Sequence, residues 1–423
     1  MLYRPVFMRL TVLFLLVHIV WAEEQEPVDL PVEPPEKTAD DASASPVFVA
    51  TTGRFGNRSG AGRRRAIGRY GGSRASESAV EAALRWFAIH QSPNGQWSVT
   101  GFPMNCSEEG PKAEPGTVHT GAAGDRAVSA YALLCYLGAG YDHRTMSRWR
   151  QMVSRGIDWL IEAHDGEYVY GRNYEQAIVA HALAEAFGLS GDSALREPAQ
   201  KTIDVLIARQ ARDAQGRGLG WDYMRPNPSR NDASVSIWVI LALRSAYLAG
   251  LDTGDALEGA ERYLRLAWQA ANPNHAVLAV ADSSGFPYTW NGTQAGSVRR
   301  TNRSSIGLLA GCLLGVDHQD VMMQTMANHV MQENLTESYP CNTYYLHHAT
   351  LAMFQLGGER WQAWNAAMRD TLVAAQRKDP PCLDGSWDHE GTAFHGHNVG
   401  RLVSTAYVTL SLQTYYRYLR TGD

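Results

Sequence analysis

Apolar residues recur along much of this chain with the spacing of an α-helix that has one buried face. The stretch beginning at Ser76 has apolar residues at positions i, i+3, i+4 and i+7, namely Val80, Ala83, Leu84 and Phe87. Such residues lie on one side of a 3.6-residue helix, and charged residues take the other sides. Comparable stripes predict six amphipathic helices, at residues 76–91, 147–164, 193–210, 255–271, 318–333 and 359–376.

Six further stretches are apolar on nearly every side and rich in small residues. They begin at Asp125, Tyr174, Asp232, Asn302, Thr343 and Leu402, and most of them end in glycine. A helix that is apolar all round has to be buried on both sides, whereas a helix with one apolar stripe can cover it. Because the two kinds alternate strictly along the chain, we predict an all-α fold, an (α/α)6 toroid of six inner and six outer helices.

Residues 1–72 carry neither pattern. Met1–Ala22 has the composition of a secretory signal, with basic residues near its start, an apolar run and a small residue at its end. We therefore expect an exported chain that is soluble after signal cleavage, with an uncleaved N-terminal anchor as the alternative. Residues 23–72 are first acidic and proline-rich and then arginine- and glycine-rich, a composition that favours disorder. They are interpreted as a linker that could touch the cell envelope, and residues 73–423 as one toroid domain.

The overall composition supports a large core and narrows the choice of partner. Of the 423 residues 45% are hydrophobic, and the net charge of -5 gives no general affinity for nucleic acid. We expect a monomer with a small-molecule, lipid or glycan ligand and no cofactor.

The five cysteines are an odd number for an exported chain. Cys135 and Cys312 fall within inner helices and are interpreted as core residues. Cys106, Cys341 and Cys382 precede inner helices that become neighbours when the ring closes. We expect a disulfide between Cys341 and Cys382 in an oxidising compartment, and the pairing with Cys106 stays open.

Two loops carry a recognisable motif. Gln91, Gly95 and Trp97 near the start, and Gln376 with Gly385-Ser386-Trp387 near the end, resemble the QW repeats of the squalene cyclase and prenyltransferase superfamily. Segments such as AALRWFAIHQSPNGQWS and TLAMFQLGGERWQAWN resemble more closely the exported, planctomycete-type "prenyltransferase/squalene oxidase repeat" proteins. The resemblance extends from Ser73 to Arg420 and implies an α/α toroid, the terpenoid cyclase fold.

The motifs that catalyse the reactions of this superfamily are missing from the chain. Its cyclases donate a proton from the central Asp of an Asp-x-Asp-Asp-Thr-Ala motif, and the matching position here is Asn231, which cannot act as a carboxylic acid. Only the following Asp232 remains, either as a helix N-cap or as a carboxylate at the cavity mouth. The Asp-x-Cys that holds zinc in the prenyltransferases does not occur in the sequence. We therefore expect no metal.

Basic residues gather where the inner helices are predicted to begin. The inner helices of a toroid run parallel, so their N-termini share one mouth with the positive ends of six helix dipoles. Arginines lie within about three residues of five starts, and the sixth start has a histidine pair: Arg126, Arg172, Arg230, Arg303 and Arg401, with His347 and His348. Each arginine could pair with a nearby acid, or the set could receive an anion beside aromatic residues such as Trp387.

Two long loops, Ser98–Gly124 and Asn272–Thr301, connect outer helices to inner ones and should lie over this mouth. Candidates for acid–base chemistry come from such loops. We select His119, Asp388 and His395 together with Asp232 as candidate catalytic residues, and note Asp125 and Asp282 beside them.

These observations lead to two predictions of function. The first is an exported, terpenoid cyclase-like toroid that lacks the catalytic motifs and binds an anionic or glycan ligand in the cell envelope. The alternative is an enzyme that acts on an isoprenoid or an acidic polysaccharide, by cyclase-like or lyase-like acid–base chemistry at the toroid mouth.

Overall fold

The computed structural model describes residues 55–107, 109–115, 121–164, 172–273, 285–298, 303–333, 336–389 and 396–420, except the side chains of 121–123, 297–298 and 396–399. The expected signal segment, residues 1–22, and the acidic part of the expected linker lie outside these residues. Within the described part of the chain, no helix is both long and apolar enough to cross a bilayer.

Twelve helices alternate between an outer and an inner layer. The outer helices are α2 (Arg74–Ile89), α4 (Arg150–Ala163), α6 (Arg196–Ala208), α8 (Ala256–Ala271), α10 (Val321–Gln332) and α12 (Gly358–Ala374). The inner helices are α3 (Gly121–Gly138), α5 (Asn173–Ser190), α7 (Ala233–Ala249), α9 (Arg303–Leu314), α11 (Thr343–Leu356) and α13 (Gly396–Leu412). The described part of the chain also contains two shorter helices, α1 (Gly60–Tyr70) and α14 (Thr414–Arg417).

The inner helices form a closed ring. Each packs against the next in the order α3, α5, α7, α9, α11 and α13, and α13 packs back against α3. The outer helices cover them, so that α4 lies between α3 and α5 and α12 contacts both α11 and α2. The expected all-α (α/α)6 toroid is therefore confirmed.

Burial follows the two sequence patterns. Every residue of α7 from Ala233 to Leu243 is buried, as expected for a helix that is covered on all sides. In α8 the buried residues form one stripe that includes Tyr263, Leu264 and Trp268, and the other faces of the helix are more open to solvent. This division lets the inner helices be almost wholly apolar while the outer helices carry the charge.

A small sheet lies beside the start of α7. Strands β1 (Asn231–Asp232), β2 (Pro287–Trp290) and β3 (Ala295–Val298) pair antiparallel in that order, with Asn231 opposite Trp290. The turn between β2 and β3 is held by Asn291, whose side-chain oxygen accepts the backbone N–H groups of Thr293 and Gln294. The sequence analysis treated this region only as a long loop, because two four-residue strands are too short for a clear alternation.

The structure differs from the expected linker in its last part, residues 55–72. Residues 55–72 are part of the folded unit, with a short turn at Gly56–Arg58 followed by α1. Arg58 is buried and its guanidinium pairs with Glu185 of α5, while Arg63 pairs with Glu77 of α2. The composition of this segment alone favours disorder, but its charges meet complementary groups on the ring.

Three loops between an outer helix and the following inner helix share one construction. Each begins with a glutamine and ends with a fully buried tryptophan: Gln91 with Trp97, Gln210 with Trp221, and Gln376 with Trp387. The glutamine amide donates to a carbonyl of its own loop and to one in a neighbouring outer helix. The indole N–H donates to the preceding outer helix, and the tryptophan backbone N–H donates to a hydroxyl of the next inner helix. Each loop therefore fastens three helices together.

Candidate functional site

The N-termini of the inner helices open at one end of the ring, which we call the mouth. Below it the ring axis is filled by aromatic side chains around Trp238 of α7. His347 stacks on Trp238 with ring centroids 6.1 Å apart, Tyr407 stacks at 6.2 Å, and Tyr131 meets it edge-on at 5.2 Å. The hydroxyl groups of Tyr131 and Tyr407 are 2.9 Å apart. These rings come from four inner helices and are all buried, so they pack against one another across the centre of the ring.

His347, an expected ligand-binding residue, lies in this aromatic filling and not on the rim of the mouth. It is 3% exposed, and burial holds its pKa well below the ordinary value for histidine, as do His348 and Arg417. Burial also lowers the pKa of His348 to about 4. Both side chains are therefore neutral at physiological pH and cannot serve as cations for an anion.

Asp232 is buried at the start of α7 and acts as its N-cap. Its Oδ1 accepts the backbone N–H groups of Ser234 and Val235 and the Ser234 hydroxyl, and its Oδ2 pairs with Arg230 at 3.1 Å. Burial raises its pKa, against the stabilising effect of these donors. The side chain has no exposed surface, so it positions other groups and does not itself face the mouth.

A pair of tyrosines lies beside Asp232 and is half-buried. The Tyr223 and Tyr288 hydroxyl groups are 3.2 Å apart, and the Tyr288 hydroxyl is 3.4 Å from that of Ser234. Each ring carries a guanidinium on its face: Arg230 lies 5.3 Å from the Tyr223 centroid and Arg303 lies 5.1 Å from the Tyr288 centroid. We call these four residues the tyrosine–arginine rim, because they extend from the loop before β1 to the first residue of α9.

Both guanidinium groups of the rim have partners within the protein, and that of Arg230 is neutralised by two carboxylates. Arg230 pairs with both Asp222 and Asp232, and the Asp222 contact is its shortest. Arg303 contacts Tyr345 of α11 as well as Tyr288. Aromatic and hydrogen-bonding surfaces therefore dominate here, and the guanidinium groups are held in fixed positions.

A second charged group lies at the start of α13. Arg401 is almost fully buried and pairs with Asp388 at 2.7 Å and with Glu114 at 2.9 Å. Burial opposes ionisation of Asp388, but Arg401 and Arg377 together hold its pKa below the ordinary value. Its side chain is 39% exposed, so of the candidate catalytic residues that are described it is the accessible carboxylate.

The remaining expected residues have mainly structural contacts or lie outside the described chain. Arg126 donates to the carbonyl of Ala163 at the end of α4, and Arg172 is exposed at the N-cap of α5. Trp387 is fully buried and donates to the carbonyl of Leu372. Three further candidates fall outside the described residues, namely His119, Asp282 and His395.

The expected disulfide between Cys341 and Cys382 is not formed. All five cysteines are free thiols, and Cys382 lies against Cys106 and His90. The short turn Pro381–Leu383 packs beneath α2, since the indole of Trp86 donates to the carbonyl of Cys382. That contact directs Cys382 toward the loop after α2.

Sequence reasoning missed Tyr223 and Asp222 of the mouth. The only signal was their place directly after Trp221, where the chain leaves a Gln/Trp loop and approaches the next inner helix. The contact between Tyr223 and Tyr288 is not predicted either, because nothing in the sequence pairs residue 223 with residue 288.

No protein-family model and no curated protein matches the chain. Solved structures do match it. An inactive variant of a glycoside hydrolase family 76 α-1,6-mannanase from Salegentibacter sp. HEL1_6, in complex with α-1,6-mannotriose, has a TM-score of 0.53 and 12% identity, over 81% of this chain and 99% of that chain. Cellobiose 2-epimerase from Bacillus thermoamylovorans B4167 has a TM-score of 0.53 and 10% identity, over 81% and 97%. A variant of an unsaturated glucuronyl hydrolase with the oligosaccharide dGlcA-Glc-Rha-Glc has a TM-score of 0.52 and 16% identity, over 79% and 95%.

At these identities the matches show a shared toroid fold and nothing finer. They agree with the closed ring of six inner helices. The resemblance to squalene cyclases is not confirmed by them, because the matching structures are glycan-acting toroids.

Proposed function

We propose that this chain binds a glycan at the mouth of the toroid, with the tyrosine–arginine rim as the contact surface. The observation that carries the proposal is the pair Tyr223 and Tyr288, each half-buried, joined through their hydroxyl groups and each covered on one face by a guanidinium. A glycan ligand occurs in both functions expected from the sequence, and the solved structures support the alternative, an enzyme that acts on a polysaccharide, better than the terpenoid cyclase-like binding protein.

The chemistry of the rim suits a sugar. A tyrosine offers an apolar ring and a hydroxyl that can donate or accept, so it can bind both the C–H face and the hydroxyl groups of a pyranose. Arg230, which Asp222 and Asp232 hold in place, adds planar donors in fixed directions. These side chains lose little conformational entropy when a ligand binds. Such a surface can therefore bind a sugar tightly through few contacts.

The fold comparisons support the same class of ligand. The mannanase variant is described with α-1,6-mannotriose and the glucuronyl hydrolase variant with an acidic tetrasaccharide. One ligand is neutral and the other carries a uronate, so both belong among the first ligands to test.

An isoprenoid ligand fits the described site less well. A chain of that kind needs a deep apolar cavity, whereas Trp238 and its neighbours fill the axis below the mouth. Asn231, at the position of the cyclase acid, is committed to the backbone, since its oxygen accepts the N–H of Gly220 and its amide donates to Trp290.

Glycan cleavage is the second candidate. Asp388 favours it, since the carboxylate is accessible, ionised and held by two arginines near the start of α13. An ionised carboxylate at this place suits a general base or a nucleophile better than a proton donor.

The test is calorimetric titration of the full chain with α-1,6-mannotriose and with an unsaturated glucuronyl oligosaccharide. We expect binding of at least one ligand and at least a tenfold loss of affinity in Tyr288→Ala, because one stacking face and one hydroxyl are removed. Tyr247→Ala is the matched control: Tyr247 is exposed at the C-terminal end of α7, and Arg244 lies 5.3 Å from its ring centroid.

Equal loss of affinity in both variants, or binding of neither glycan by the wild-type chain, would contradict the rim as a glycan site. Incubation of each bound glycan with the wild-type chain and with Asp388→Asn separates the two candidates. Products formed by the wild-type chain alone favour cleavage, and binding without products favours a binding protein.

A further inference from the structure

Three metal-binding side chains from distant parts of the chain meet outside the rim. His90 follows the last residue of α2, Cys106 follows the short turn Phe102–Asn105, and Cys382 lies in the turn Pro381–Leu383. One ring nitrogen of His90 and the two sulfur atoms lie within 4.8 Å of one another, and all three residues are buried. His90 and Cys382 are 292 residues apart in the sequence, so the fold alone brings them together.

The orientation of His90 is that of a metal ligand. Its Nδ1 lies 2.8 Å from the carbonyl oxygen of Trp86, which accepts a hydrogen bond from Nδ1–H and so leaves the lone pair on Nε2. That Nε2 lies 3.4 Å from the sulfur of Cys382. A histidine that binds a metal usually donates its other N–H to a carbonyl in this way. Burial also lowers the pKa of His90 to about 4, so the ring is neutral and able to coordinate.

Nearby groups suit two thiolates. The sulfur of Cys382 accepts the backbone N–H of Ala113 at 3.4 Å, and the Lys112 ammonium donates to the carbonyl of Cys106 at 2.8 Å. Arg401 adds positive charge close to His90. Burial raises the pKa of the Cys382 thiol to about 11, as does its hydrogen bond with Cys106. A bound cation reverses that balance and displaces the thiol protons.

The surroundings are rigid and largely apolar. The ring of Trp86 lies 4.4 Å from that of His90 and 5.7 Å from that of Phe102, and its indole N–H donates to the carbonyl of Cys382 at 2.9 Å. Such a shell restricts the movement of the ligands and limits the access of water.

We propose that His90, Cys106 and Cys382 form a binding site for a thiophilic divalent cation of the zinc class. In a tetrahedral zinc site, bond lengths of about 2.3 Å to sulfur and 2.0–2.1 Å to nitrogen place the ligand atoms roughly 3.5–3.8 Å apart. The Nε2 of His90 and the sulfur of Cys382 are 3.4 Å apart, and all three atoms lie within 4.8 Å of one another. Side-chain movements of about 1 Å or less therefore bring the three atoms to that spacing. Water can take the fourth position. The bound ion fastens the loop after α2 to the loop after α12.

This site differs from what the sequence suggested. The sequence favoured Cys341 as the partner of Cys382, left the pairing with Cys106 open and predicted no metal. It gave no reason to add His90, because the three residues follow no spacing that is typical of a metal site.

The experiment uses the full chain, reduced and stripped with a chelator, then titrated with zinc or cobalt. We expect one equivalent of zinc per chain by elemental analysis, with release of protons because thiols become thiolates. Cobalt should give the absorption of tetrahedral thiolate coordination. Cys106→Ser, Cys382→Ser and His90→Gln should each weaken zinc binding at least a hundredfold, and Cys341→Ser, which changes a thiol outside the cluster, should leave it unchanged.

Three results would overturn the proposal. The first is less than a tenth of an equivalent of zinc bound by the wild-type chain. The second is equal binding by the wild-type chain and the three cluster variants. The third is a Cys106–Cys382 disulfide, found by peptide mapping, that persists when zinc is supplied during folding. If a serine variant fails to fold, the thiolate-to-cobalt absorption of the wild-type chain and its loss in His90→Gln decide the question.

Discussion

Glu185 of α5 is fully buried, and two arginines from opposite ends of the described chain share its carboxylate. Arg58 approaches with two N–H groups at 2.8 and 3.1 Å, and Arg417 approaches both oxygens at 3.1–3.2 Å. His181 completes the set at 3.0 Å. Burial by itself would raise the pKa of Glu185, but Arg417 and Arg58 hold it well below the ordinary value. The carboxylate is therefore charged at physiological pH and compensated by cations.

Glu185→Gln should reduce the free energy of unfolding by about 3–5 kcal/mol at pH 7, because two buried guanidinium groups lose their counter-charge. Urea denaturation followed by circular dichroism measures this. The control is Glu197→Gln, which removes an exposed partner of Lys201 and should leave the stability nearly unchanged. Equal effects would mean that the buried cluster adds nothing beyond a surface pair.

The difference in unfolding free energy between the wild-type chain and Glu185→Gln should depend on pH. The folded-state pKa of Glu185 is depressed, so its contribution is fully present above the unfolded value of about 4.5 and is lost as the pH falls toward the folded value. The stability difference between the wild-type chain and Glu185→Gln should therefore shrink below pH 4.5. A constant difference down to the acid transition would contradict the depressed pKa.

At the scale of elements, the Gln/Trp loops depend on glycines that let two backbones approach. Gly385 has a φ of +94°, and a Cβ there would collide with the carbonyl oxygen of Ala82 in α2. Gly110 has nearly the same φ, +98°, with open space around it. Both glycines have the left-handed conformation, but only Gly385 lies close to another backbone segment, that of α2.

Gly385→Ala should therefore destabilise the fold more than Gly110→Ala. The left-handed conformation accounts for about 1–2 kcal/mol in each variant. The additional loss in Gly385→Ala measures the forced separation of the α12 loop from α2. Both variants are to be compared in the same urea denaturation experiment. Equal losses would show that the loop can move away from α2 at no cost.

The sequence predicted the helices well because their signals are local. The inner helix at Asp232 and the outer helix at residues 255–271 are found within about one residue of the predicted bounds. Helix α1 escaped because Gly60–Tyr70 is rich in arginine and glycine, and its helical state depends on tertiary partners such as Glu77. Local pattern cannot report a partner that lies elsewhere in the chain.

The candidate site was predicted only in part. The starts of the inner helices identified Asp232 as an N-cap and Arg303 as a residue of the rim, since dipole and capping rules act over a few residues. The pairing of Tyr223 with Tyr288, and of Cys106 with Cys382, depends on which loops meet after the ring closes. Those loops are joined through the whole toroid, so a single sequence carries no spacing rule for them.

For the whole molecule, the ring closes where the two ends of its described part meet. Arg58 donates to the carbonyls of Arg417 and Leu137 as well as to Glu185, and Arg417 donates to the carbonyl of Leu134. The contacts join the segment before α1, the end of α3 and the segment after α13. The part assigned to a linker from composition thus completes the seam between α13 and α3.

A chain that begins at Ser73 should consequently be less stable than one that begins at Val49, by about 3 kcal/mol or more. The shorter chain lacks Arg58, so one buried cation of the cluster is lost, and it also lacks the buried rings of Phe55 and Tyr70. Urea denaturation of both chains measures the difference. Arg58→Ala in the longer chain should reproduce part of this difference.

If Glu185→Gln destabilises the shorter chain less than the longer one, the two effects are coupled through the same cluster. Equal stability of the two chains would instead show that residues 55–72 behave as a linker. The ring would then be closed only by the contacts between α13 and α3.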